Sequence, residues 1–142
     1  MSIEYHFVVF IGLTYESEGD FENAKDYYMR ALLMDGDNEE AFKHMGRLAY
    51  IEGDLKEAIV FYYRAIELNP SDDAVHHTLG DISSELGNFE AAKRSYELAL
   101  QINSNEPRYY NSLATLHKKQ GDYEEAKEFV LKAIHSSPTE EP

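Results

Sequence analysis

A chain of 142 residues carries 13 Lys and Arg against 27 Asp and Glu, a formal net charge of −14, and no cysteine. That field repels phosphate backbones and anionic lipid, which excludes nucleic acid and membrane surfaces as main partners. The missing thiols exclude disulfides, thiolate nucleophiles and cysteine-ligated zinc.

Taken in chain order, the sequence first shows an apolar run over 7–13, too short for a span of roughly 20 residues. It has no basic leader or small-residue cleavage site, so no secretory signal is expected and the location is read as cytoplasmic. A helix is predicted over 5–18, closed by Gly19 and followed by Asp20, a helix-ending glycine and then a capping oxygen. The same punctuation returns at Gly53-Asp54, Gly87-Asn88 and Gly121-Asp122, with an aromatic residue or Leu after each cap. Helices are therefore predicted over 21–34, 39–52, 55–68, 73–86, 89–102, 107–120 and 123–136. Asp54 with Glu57 and Asp122 with Glu125 have capping-box spacing. Pro107 suits a first helical turn, while Pro70 and Pro138 follow helix ends.

The period of this punctuation is 34 residues. Gly12, Gly46, Gly80 and Ala114 form one column, and Ala24, Ala58, Ala92 and Ala126 another. Ala31, Ala65, Ala99 and Ala133 form a third, and Tyr28, Tyr62, Tyr96 and Val130 a fourth. Small residues at fixed positions let two helix backbones approach, and the tyrosine ring fills the space beside them. A single pair cannot bury both sides of such a surface, whereas four repeated pairs exceed the minimum of about three.

These columns resemble the tetratricopeptide repeat family. The second unit carries its pattern most fully, with Phe42, Met45, Gly46, Ala49, Ala58, Tyr62, Ala65 and Pro70 at the family's positions. The resemblance covers 5–140 as a single domain of four repeats (5–38, 39–72, 73–106 and 107–140), with short flanks at 1–4 and 141–142. It implies an all-α fold, an alpha-alpha superhelix or solenoid of four antiparallel helix pairs whose first helices line a concave groove. It further implies a scaffold that binds a partner protein or peptide there.

The candidate groove stripe lies about 100° around each first helix from its core face. The second unit offers Lys43, His44, Arg47 and Tyr50, the third His77, and the fourth Arg108, Asn111 and Lys118. Over the whole stripe, Lys43, Arg47, Arg108, Lys118 and Lys119 stand against Glu16, Glu40, Asp81 and Glu85, a balance of +1. The rest of the chain, with 8 basic and 23 acidic residues, carries −15. A partner with an acidic or carboxylate-bearing segment fits this distribution, with Tyr50, Phe10 and Val9 giving apolar contact. The family's clamp for chaperone C-termini matches only at Lys43 in kind and at Arg108 in charge, so that partner is not expected.

No enzyme constellation emerges: the sequence has no GxSxG serine, phosphate loop or HExxH motif. No cofactor and no metal are expected. His76 and His77 are adjacent on a helix and diverge by about 100°; His76 is read as a core residue and His77 as facing the groove. The first helix is apolar almost all round, and Phe129, Val130, Leu131 and Ile134 ride on the last. Either a neighbouring segment covers these ends or they support self-association. The alternatives to a scaffold are thus a repeat segment of a larger multidomain enzyme, or an assembly factor that oligomerises.

Overall fold

The computed structural model describes residues 2–136, and within them eight α-helices follow one another. They are α1 (Ile3–Ser17), α2 (Phe21–Met34), α3 (Glu39–Ile51), α4 (Leu55–Leu68), α5 (Asp73–Glu85), α6 (Phe89–Ile102), α7 (Pro107–Lys119) and α8 (Tyr123–Ser136). Helices pair in sequence order, α1 with α2, α3 with α4, α5 with α6 and α7 with α8. The pairs fall into two units, Met1–Pro70 and Ser71–Pro142.

Local chemistry sets the boundaries. Ser2 Oγ accepts the Tyr5 N–H at 3.2 Å, so α1 starts two residues before the predicted position and takes in part of the expected flank. The helices predicted to end at 18, 52, 86 and 120 end one residue earlier. Turns inside the first three pairs are built alike. At Gly53, φ of +83° places the chain in the left-handed region that side chains avoid. Asp54 then accepts the Glu57 N–H at 3.1 Å, satisfying one of the donors that every helix start leaves open. Asp20 and Asn88 repeat this bond toward Asn23 and Ala91. The predicted helix stop at Pro138 and the end of the fourth repeat lie outside the described residues.

In the first unit, α2 packs against α3. Ala24 and Tyr28 bury against Met45 and Leu48, while Tyr5, Val9, Ala31 and Ala41 form a neighbouring cluster. In the second unit, α6 packs against α7, and Ala92 and Tyr96 bury against Leu113 and Leu116. The small-residue column works by close approach: a Cβ added to Gly80 would stand 2.5 Å from Cε1 of Tyr96. The fourth repeat carries Ala114 opposite Val130 in the same two columns, a larger residue matched to a smaller one.

Candidate functional site

In the first unit, four residues from three helices close a polar network. Arg47 of α3 donates from Nε and Nη2 to the two Glu16 carboxylate oxygens of α1, both at 2.8 Å. Tyr28 of α2 donates its hydroxyl to Glu16 Oε1 at 2.7 Å. Arg47 Nη2 also lies 2.9 Å from His44 Nδ1. Arginine can only donate, so Nδ1 is the acceptor and the imidazole proton sits on Nε2. His44 stacks on Tyr28 with centroids 4.9 Å apart.

The electrostatics follow from the contacts. Burial pushes the Glu16 carboxyl up, but the hydrogen bonds from Arg47 and Tyr28 and the Arg47 charge outweigh it, and the group sits below the usual glutamate range. Burial, then the Arg47 charge, holds His44 below the usual histidine range. Of the predicted groove residues of this unit, Arg47 and His44 therefore belong to one closed network. Lys43 and Tyr50 are half-buried on the same helix.

The second unit has its own version. Tyr96 donates to Asp81 at 2.7 Å, and Tyr109 donates to Asp73 at 2.6 Å. The bond from Tyr109 holds the Asp73 carboxyl below the usual aspartate range. His77 lies between them, with Nε2 2.7 Å from Ser112 Oγ and its ring 4.8 Å from that of Tyr109. His76 is buried. Burial lowers the His77 pKa against the pull of Asp81.

The three predicted residues of α7 behave differently. Arg108 is 68% exposed and reaches back to Glu106 at 3.1 Å. Asn111 and Lys118, two turns apart, share one wall of a cavity of about 730 Å³ between α7 and α8. Its other wall is mostly apolar, with Tyr123, Ala126, Val130 and Leu131 beside Lys127, and Val130 stands where the other repeats place a tyrosine ring.

Sequence reasoning counted Glu16 and Asp81 as groove charges; each is the acceptor of a buried tyrosine hydroxyl. It also passed over the one group of acids and histidine among the described residues that could hold a metal ion, His117 with Asp122 and Glu125. The signal for it was the spacing of these three across the α7–α8 turn.

Antiparallel helix pairs recurring every 34 residues, with a small residue set against an aromatic ring, define an all-α helical repeat protein. The chain belongs to the tetratricopeptide repeat family: models described as tetratricopeptide repeat match residues 49–116 and residues 5–38 and 107–140. A crystal structure of MamA is similar over 93% of this chain and 77% of its own, at 23% identity and a TM-score of 0.87. A MamA RS-1 variant is similar over 93% and 74%, at 17% identity and 0.84. PilF of Pseudomonas aeruginosa is similar over 94% and 61%, at 22% identity and 0.82. At these identities the likeness is one of fold. No curated protein matches the sequence.

Proposed function

We propose that this chain is a non-enzymatic scaffold whose first-helix faces bind a partner protein or peptide, in a cytoplasmic setting that the absence of cysteine suits. The observation that carries this reading is the exposed α7 surface. Asn111 and Lys118 line a largely apolar cavity, and Arg108, exposed and paired with Glu106, stands one turn before Asn111 on the same helix, on a protein of net charge −14. A peptide with apolar side chains and an acidic or C-terminal carboxylate would fill the cavity and meet Lys118 and Arg108. On α3 of the first unit, Lys43 and Tyr50 stand two turns apart on one helix face and belong to the same reading. Arg47 serves there through its network with Glu16 and not as an open anchor.

The test is fluorescence anisotropy with labelled acidic peptides, comparing the parent chain with Lys118→Glu combined with Arg108→Glu. Each lost charge contact should weaken binding by about tenfold or more. Affinity unchanged by the double reversal sinks the assignment.

A second reading has its own observation. Phe7 and Phe10 of α1 and Leu131 and Ile134 of α8 are all more than half exposed. Apolar side chains of this size at both ends suit association with further copies. Sedimentation across a concentration series tests it, and a strictly monomeric species at high concentration rejects it. No helix among the described residues is long and apolar enough to cross a membrane.

A further inference from the structure

The end of α7 holds a buried imidazole without a hydrogen bond. The His117 side chain is 4% exposed, and neither Nδ1 nor Nε2 has a hydrogen-bond partner. Phe129 stacks on the ring at 5.2 Å and fixes its plane. A buried polar group left unsatisfied costs on the order of 1–3 kcal/mol, so a ligand at Nδ1 would offset part of what this ring costs here.

Two carboxylates face Nδ1. Glu125 Oε2 lies 3.2 Å away and Asp122 Oδ2 3.7 Å away, and all three ligand atoms fall within 4.8 Å of one another. Asp122 occupies the capping position where Asp20, Asp54 and Asn88 accept a helix N–H; here its carboxylate faces the ring. The distances suit an ion held between the three atoms. With metal–ligand bonds of about 2.0–2.1 Å, neighbouring corners of a tetrahedron stand about 3.4 Å apart, between the two spacings observed.

We propose that His117 Nδ1, Asp122 and Glu125 form a binding site for a divalent transition metal of the zinc class, clamping the turn between α7 and α8. One imidazole with two carboxylates is a borderline donor set, which selects such ions over magnesium or calcium, whose sites are built of oxygen alone. The imidazole is fixed by burial, while both acids are more than half exposed and free to close on the ion. Water completes the coordination from the solvent side. Nε2 lacks the outer hydrogen bond that strengthens a histidine ligand, so the metal is exchangeable and a chelator removes it without unfolding the chain. The site stands on its own residues and is independent of the partner reading above.

The experiment uses the full chain without an affinity tag. Zn²⁺ is titrated by calorimetry, with Mg²⁺ and Ca²⁺ in parallel, and thermal unfolding is followed with and without each ion. The expected result is saturable binding of one Zn²⁺ per chain with a raised Tm, and neither effect from Mg²⁺ or Ca²⁺. Asp122→Asn combined with Glu125→Gln, both at exposed side chains, should weaken Zn²⁺ binding by more than about tenfold and leave the metal-free helix content unchanged. Absence of saturable binding overturns the proposal. So does Zn²⁺ binding that the double variant leaves intact, since the ion would then sit elsewhere, or binding of Ca²⁺ as tight as that of Zn²⁺.

Discussion

Arg47 and Glu16, 31 residues apart in sequence, meet in a two-point ion pair with both N–O distances at 2.8 Å. Glu16 is the more enclosed partner, its side chain 17% exposed against 40% for Arg47. A double-mutant cycle with Glu16→Gln and Arg47→Met should return a coupling of about 1 kcal/mol, kept modest by the solvent that reaches Arg47. Urea unfolding measures it, and a coupling indistinguishable from zero would reduce the pair to surface decoration.

The same network predicts acid sensitivity. The folded Glu16 carboxyl titrates below its reference value of 4.5, so its contribution is complete above that pH and is lost as pH falls through the lower folded value. His44 acts in the same direction: folded, it titrates below 6.5, and below that pH the unfolded chain binds the proton more readily. Stability should therefore decline from about pH 6.5 downward and more steeply below about pH 4.5. Unfolding midpoints across that range check it, and Glu16→Gln should flatten the lower part of the curve.

The helix boundaries were legible in the sequence because their causes are local. Gly53 and Asp54 need only their own dihedrals and the next turn's N–H; α2, α4 and α6 begin and end where predicted, and α8 begins there. The polar site was less legible. Arg47 and Glu16 both occupy the predicted stripe, but their closure depends on side-chain torsions and on Tyr28 arriving from a third helix. A count of charges treats them as separate surface groups. His117 was hidden for another reason: its burial on α7 shows only in the folded chain, and its acids stand beyond a turn that looked like an ordinary capping box.

Gly80 and Tyr96 should be coupled through shape. Gly80→Ala alone forces a Cβ against the ring and should cost about 1–3 kcal/mol. Combining it with Tyr96→Val, which reproduces the pairing of Ala114 with Val130, should cost less than the two changes summed, by about 1 kcal/mol. Thermal denaturation of the four species decides this, and strict additivity would contradict the close-approach account.

Capping substitutions should separate the second turn from the fourth. Asp54→Ala removes the acceptor for Glu57 and should destabilise by about 1 kcal/mol. Asp122→Ala in metal-free protein should cost less, because its carboxylate faces His117. Equal losses in chemical denaturation would show that Asp122 caps α8 after all.

Each glycine of the close-approach column meets the ring of its own repeat, Gly12 with Tyr28, Gly46 with Tyr62 and Gly80 with Tyr96. The match of glycine to ring is thus sealed inside a block of 34 residues, while the packing of Tyr28 on Met45 and Leu48, and of Tyr96 on Leu113 and Leu116, reaches into the next block. Copying, deleting or transplanting a whole block leaves every such match intact, whereas exchanging only one of the two columns with the fourth block, Gly80 for Ala114, sets an extra Cβ against a tyrosine ring. The grain at which this chain tolerates change is therefore the block. A library that shuffles intact repeats should return more folded members than one of equal size that shuffles positions.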